Sequence, residues 1–170
     1  RVGKLIATAA APQLIPLTLE LGGKSPAIVD NTANLKVAAK RIIWAKGFNA
    51  GQTCVAPDYI LVHSDVASEF RTLLSKEIAA NMKGYGGLAQ LPKIVNQSRY
   101  DTLLKLAHDA NLNPEHNDEM LRIGLTLAPD TSLESSLMQE EIFGPLLPLI
   151  TYESEAEMKA IIEANPNPLS

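Results

Sequence analysis

Leu35-Lys36-Val37-Ala38-Ala39-Lys40-Arg41-Ile42-Ile43-Trp44-Ala45-Lys46, then Gly47-Phe48-Asn49-Ala50-Gly51-Gln52-Thr53-Cys54-Val55-Ala56, then Pro57-Asp58-Tyr59-Ile60-Leu61-Val62, is the run whose reading decides the fold. Its first part sets Leu35, Ala38, Ala39, Ile42, Ile43 and Lys46 at helical spacing behind the cap-type residues Asp30 to Asn34, which predicts a helix over about 35–49. Its last part, Tyr59 to Val62, consists of β-formers bounded by Pro57-Asp58 and Ser64-Asp65, and reads as a buried strand. Between them Gly47 and Gly51 allow a tight turn that ends at Cys54, the only cysteine of the chain.

The same alternation extends in both directions. Val2 to Ala11 reads as a short helix stopped by Pro12. Leu17 to Leu21 and Ala27 to Val29 are apolar runs of strand length joined by the turn Gly22-Gly23-Lys24-Ser25-Pro26, with Glu20 at its lip. Downstream, Ser64 or Asp65 is the expected cap of a helix whose apolar face is Val66, Phe70, Leu73, Leu74 and Ile78, closed by Gly84-Tyr85-Gly86-Gly87. Ser98-x-x-Asp101 is a capping-box-like opening of a helix running toward residue 110, and Asn111 to Glu119 reads as a surface loop. Leu121 to Ala128 and Leu146 to Tyr152 read as strands, Pro148 favouring an edge or a bulge in the second. Ser154-x-x-Glu157 opens a last helix through Met158, Ile161 and Ile162, stopped by Asn165-Pro166-Asn167-Pro168. Strands alternating with helices at this spacing predict an α/β fold with an open, mostly parallel sheet and helices on both faces, a single domain over residues 1–170. Glu20, Cys54 and Glu141 all fall on connections at strand ends, where such folds carry their chemistry.

Composition narrows the function. With 46% hydrophobic and 20% charged residues and a net charge of -4, the chain has the make-up of an ordinary globular protein. No block of lysines and arginines offers a nucleic-acid footprint, and the acidic balance argues against anionic membrane surfaces. No apolar run approaches the roughly 20 residues that span a bilayer. A lone cysteine forms no internal disulfide, which fits a reducing, cytoplasmic compartment. Arg1-Val2-Gly3-Lys4 lacks the layout of a signal peptide and begins without Met, so the expectation is that the chain starts inside something larger.

Two chemistries are open to Cys54. Backbone amides aimed at a thiol lower its pKa from about 8.5 and make it a nucleophile, whereas a cysteine sealed in the core is an inert small hydrophobe. A nucleophilic cysteine that forms an acyl intermediate needs a group to activate water. Glu20, between Leu19 and Leu21, is the candidate, with partial desolvation expected to raise its pKa, against the plainer reading of a solvent-facing carboxylate at a strand end. Glu140-Glu141-Ile142-Phe143-Gly144-Pro145 is the third unusual stretch: a carboxylate suits the two hydroxyls of a ribose and a ring can flank a planar base, or the stretch is an acidic loop with Phe143 in the core. His63, His108 and His116 show no metal-ligand spacing, so no metal site is expected.

Taken together, Leu19-Glu20-Leu21-Gly22-Gly23-Lys24-Ser25-Pro26, Gly51-Gln52-Thr53-Cys54 and Glu141-Ile142-Phe143-Gly144-Pro145, in this order, resemble the aldehyde dehydrogenase superfamily. Gly51 to Tyr59 is most similar to the branch acting on long-chain, aromatic and other hydrophobic aldehydes. The resemblance runs from Val2 to Leu169. It implies that Cys54 attacks the aldehyde to give a thiohemiacetal, that hydride passes to NAD or NADP, and that Glu20 activates the water that hydrolyses the resulting thioester. It further implies that the Cys54 amide forms part of an oxyanion hole, that Glu141 holds the nicotinamide ribose with Phe143 near the ring, and that the Leu21 and Gly22 backbone lines that pocket. A homo-oligomer is implied too, as are a dinucleotide-binding half before this sequence and a further segment after it, which makes the chain an incomplete catalytic domain, expected to be inactive in isolation. Met82 to Val95 and Asn111 to Met120 depart from the family pattern, and Leu125 stands where a proline is usual. Apart from the resemblance, a cofactor-free cysteine hydrolase or acyl-transfer enzyme, or a non-catalytic interaction module, would also accommodate Cys54; a ribose clamp at Glu141 to Pro145 would have no use in the former.

Overall fold

Four strands, β1 (Pro26–Val29), β2 (Tyr59–His63), β6 (Leu146–Tyr152) and β5 (Thr126–Ala128), lie side by side in the order β1-β2-β6-β5, every pair parallel. The computed structural model describes residues 2–165 and 168–170. β2 is covered on both faces, and its side chains alternate accordingly. Ile60 and Val62 pack with Leu147 and Leu149 under α2 (Leu35–Gly47) and α3 (Ser64–Gly84), whose Ala39, Ile43, Phe70 and Leu74 complete that core. Tyr59 and Leu61 face the other way, with Ile150, Tyr152, Met138 of α5 (Ser136–Gln139) and Ile161 of α6 (Glu155–Glu163). A third cluster gathers Tyr100, Leu103 and Ala107 of α4 (Gln97–Asp109) with Ala128, Ile142 and Leu146 beyond the β5 side. The expected α/β sheet with helices on both faces is the architecture found.

Local chemistry accounts for the element ends, and in several places it differs from the sequence reading. α1 (Val2–Ala10) runs into a 3-10 turn containing Pro12, as expected. Asn34 caps α2 by accepting a hydrogen bond from the Val37 N–H. The cap of α3 is neither Ser64 nor Asp65 but His63, whose Nδ1 accepts from the Asp65 N–H; Ser64 is already helical. Likewise Asn96, not Ser98, caps α4 through the Arg99 N–H at 2.9 Å. The Ser154–Glu157 opening of α6 is present, Ser154 Oγ accepting from the Glu157 N–H. The proposed stop at Asn165 to Pro168 includes Pro166 and Asn167, which lie outside the described residues.

The strands show larger corrections. Leu17 to Leu21 forms no strand: it is an exposed segment that pairs with no other strand among the described residues, and an apolar run without a neighbour to take its N–H and C=O groups is not a strand. Leu121 to Ala128 is broken into β4 (Arg122–Ile123) and β5, because β4 pairs antiparallel with β3 (His116–Asn117) inside the supposed surface loop while β5 joins the main sheet. Pro148 lies in an interior strand, not at an edge. Its missing N–H is tolerated because the β5 ladder ends at Pro148 and the β2 ladder starts at Leu149.

Candidate active site

Three segments lead into β1, β2 and β6, and because these strands are adjacent and parallel, all three arrive at the same edge of the sheet. They are the stretches carrying Glu20, Leu21 and Gly22, then Cys54, then Glu141 and Phe143. The edge is formed by the amino ends of the strands, so the motif residues sit on the entering connections.

The Cys54 segment is shaped by backbone strain. After α2 the chain passes through Asn49, Ala50 and Gly51 with φ of 50°, 54° and 73°, consecutive left-handed residues of which only glycine adopts that conformation without cost. Gly51 is required twice over, since a Cβ there would overlap the Gly144 carbonyl of the third segment. Gln52 fastens the turn: its Nε2 donates to Lys93 O at 3.0 Å and its Oε1 accepts from the Val95 N–H at 2.9 Å. Cys54 itself is exposed, so the buried-hydrophobe reading does not hold.

Glu141 and Gly22 come together. A Cβ on Gly22 would collide with the Glu141 carboxylate, which lies near the Gly23 amide. These residues border an open cavity of about 340 Å³ that also takes in Lys24, Glu140 and Asn165. Burial, reinforced by the nearby Asp58 charge, raises the Glu141 carboxyl above the ordinary carboxylate range, against the lowering effects of the Gly23 amide, Arg99 and Lys24. Phe143 is half-buried with φ of 45°, a left-handed non-glycine residue held in place by its neighbours. Leu21 is 58% exposed, its side chain lying against Gly3 of α1. Glu20 is exposed, and the desolvation expected from its leucine neighbours is absent because Leu19 and Leu21 face solvent as well. Among the described residues no hydrogen bond joins Glu20 to Cys54.

What binds the three segments is a pair the motif reading passed over. Lys24 and Asp58 are 7% and 4% exposed and form a buried ion pair. Lys24 Nζ also donates to Leu137 O at 2.8 Å and Glu140 O at 3.0 Å, while Asp58 Oδ1 accepts from the Ile142 N–H at 2.9 Å. The Asp58 N–H in turn donates to Ser25 O at 2.8 Å. The Arg99 guanidinium donates to the Ile142 carbonyl from the α4 side. Lys46, on the last turn of α2, is 1% exposed and makes no ion pair or hydrogen bond among the described residues; burial pushes its ammonium down to about 8. The available signal for these residues was charge in apolar company: Lys24 between two strand-like runs, Asp58 directly before a buried strand, Lys46 on the apolar side of its helix. A resident metal has no ready ligand set, as no cluster of three His, Cys, Asp or Glu side chains is arranged for one among the described residues. Nor is any helix among them long and apolar enough to cross a membrane.

Comparison with known proteins agrees with this geometry. The chain is 49% identical over 177 residues to 4,4'-diaponeurosporen-aldehyde dehydrogenase of Staphylococcus aureus, covering 99% of this chain and 38% of that protein. The substrate-bound state of Staphylococcus aureus AldH superimposes with a TM-score of 0.89 at 45% identity, over 99% of this chain and 38% of the other. A mutant of aldehyde dehydrogenase C from Pseudomonas syringae, solved with NAD+ and octanal, matches with a TM-score of 0.81 at 26% identity, over 94% of this chain and 36% of the other. The chain thus spans well under half the length of these relatives. The profile of the aldehyde dehydrogenase family matches residues 1–170 from end to end, and the chain belongs to that family.

Proposed function

We propose that this chain is the cysteine-bearing catalytic part of an NAD- or NADP-dependent aldehyde dehydrogenase that oxidises an aldehyde to a carboxylic acid. The observation that carries the reading is the convergence of the Glu20, Cys54 and Glu141 segments at one sheet edge, with Cys54 exposed. The Cys54 thiolate adds to the carbonyl carbon, and the Cys54 N–H donates to the oxyanion of the thiohemiacetal, a kind of contribution worth about 3 to 4 kcal/mol. When bound, the nicotinamide cofactor supplies the hydride acceptor. The acyl group is left on sulfur as a thioester. Glu20, exposed on its segment before β1, takes a proton from the water that attacks this thioester, releasing the acid and the thiolate.

Glu141 is the residue we assign to the ribose of the cofactor, and the residues present fit it: the carboxylate borders an open cavity, and Gly22, lacking a side chain, lets it lie against the backbone there. Leu21, Gly22 and Phe143 would line the nicotinamide end. We assign hydrophobic aldehydes as substrates. Thr53 and Val55, on either side of Cys54, line an apolar cavity of about 240 Å³ with Trp44, Phe48 and Ala56, and the relative named for diaponeurosporen-aldehyde and the neighbour solved with octanal support this choice. The exposed Val37 and Trp44 on the outer side of α2 support a homo-oligomer, and an exposed free thiol supports a reducing, cytoplasmic setting. Adenosine contacts and a second oxyanion donor belong, on this reading, to the remainder of a longer protein, so activity is tested there. Cys54→Ser in the full-length protein should eliminate NADH or NADPH production from an aliphatic aldehyde; retained production would refute the assignment.

A further inference from the structure

The geometry points to Lys24 and Asp58 as positioning residues of the reaction, a buried ion pair that sets the Glu141 carboxylate for the cofactor. The inference rests on the ribose role proposed for Glu141. A buried pair contributes little to stability on its own, because desolvating two charges offsets their attraction, so its placement calls for another account. Here the placement is specific. The two peptide units flanking Glu141 are each tied to one member of the pair: Glu140 O accepts from Lys24 Nζ at 3.0 Å, and the Ile142 N–H donates to Asp58 Oδ1 at 2.9 Å. Lys24 also directly follows Gly22-Gly23, the backbone against which the Glu141 carboxylate lies at the border of the cavity. One ion pair therefore fixes both walls of the proposed ribose site. The Lys24 ammonium is spent on Asp58 and on the Leu137 and Glu140 carbonyls, and Asp58 on Lys24 and the Ile142 amide, so the pair acts through Glu141.

The test is a double-mutant cycle in the full-length protein, with NAD+ and NADP+ dissociation constants from titration calorimetry. Asp58→Asn keeps an acceptor for the Ile142 amide and removes the charge facing Lys24. Acting by displacement of a binding group, Asp58→Asn and Glu141→Gln should each weaken cofactor binding by about tenfold to about 100-fold. The combined variant should be no weaker than Glu141→Gln alone to within about twofold, because the two changes share one route. Iodoacetamide alkylation of Cys54 should stay within about twofold of the unaltered protein, a readout that general loosening of the fold would move. Losses that multiply in the combined variant, or an effective Glu141→Gln beside an ineffective Asp58→Asn, would overturn the positioning role while leaving the ribose role standing. An ineffective Glu141→Gln would overturn the ribose role and the positioning role together. Should Asp58→Asn fail to fold, Lys24→Gln enters the same cycle with the same expected and overturning results.

Discussion

Gly51 stands with its α-carbon against the carbonyl of Gly144, so the segment that presents Cys54 rests directly on the segment that presents Glu141 and Phe143. The proposed nucleophile and the proposed ribose ligand are thereby coupled through backbone, without an intervening side chain. Gly51 has φ of 73° and follows two strained residues, Asn49 and Ala50, which places the whole turn in a conformation maintained by its surroundings.

Gly51→Ala should separate the two segments. The left-handed conformation costs a residue with a Cβ about 1–2 kcal/mol, and the added methyl must also displace the Gly144 carbonyl. The variant should lose stability by at least that strain and should lower hydride transfer and cofactor affinity together. Denaturant unfolding and single-turnover kinetics on the full-length protein check this, and an unchanged midpoint with normal turnover would show that the contact is slack.

Glu20→Gln should slow release of the acyl group more than its formation. Removing the carboxylate takes away the group proposed to accept the proton of water, while addition of Cys54 to the aldehyde needs only the thiolate. Rapid mixing should reveal a burst of reduced cofactor followed by a steady state slower by about 100-fold or more. An unaltered steady-state rate without acyl-enzyme accumulation would remove Glu20 from the mechanism.

The sheet, its covering helices and the three motif segments were legible because each depends on local pattern: helical spacing from Leu35 to Lys46, β-formers from Tyr59 to Val62, glycines beside reactive side chains. What was not legible depends on partners distant in sequence. Leu17 to Leu21 has the pattern of a strand but no neighbour to pair with among the described residues, and Pro148 reads as an edge or bulge residue although the ladder merely changes sides there. Caps shifted by one or two residues at His63 and Asn96 because several hydrogen-bonding side chains compete at each helix start. The Lys24–Asp58 pair joins residues 34 positions apart, and nothing in either local sequence names the other. Burial of a charge is the signal that would have linked them, and burial is a tertiary property.

Gly22→Ala should act on the cofactor and not on the thiol. The new methyl would meet the Glu141 carboxylate and drive it from the cavity, while Cys54 lies on another segment. NAD+ or NADP+ affinity should fall by about tenfold or more, with Cys54 alkylation unchanged to within about twofold. Equal losses in both measurements would mean that the variant disturbs the sheet edge as a whole.

Lys46 makes stability depend on pH in a direction that can be worked out. Burial holds its folded-state pKa at about 8, below the ordinary 10.5, because the charged form is penalised in the core. Below pH 8 both folded and unfolded chains carry the proton, and the full cost of the buried ammonium is present. Between about 8 and 10.5 the unfolded chain binds the proton and the folded chain does not, so stability rises with pH through this window. Above 10.5 neither form carries it and the cost is gone. Lys46→Met keeps a straight apolar side chain of similar length and removes the charge, so it should stabilise the protein at neutral pH by up to about 3 kcal/mol. The gain over the unaltered protein should shrink steadily from pH 8 toward pH 10, as followed by denaturant unfolding of both proteins at each pH. A destabilised variant with a parallel pH profile would instead mean that the Lys46 ammonium is held by partners whose attraction to it, that of Asp58 and Glu141 included, outweighs its burial.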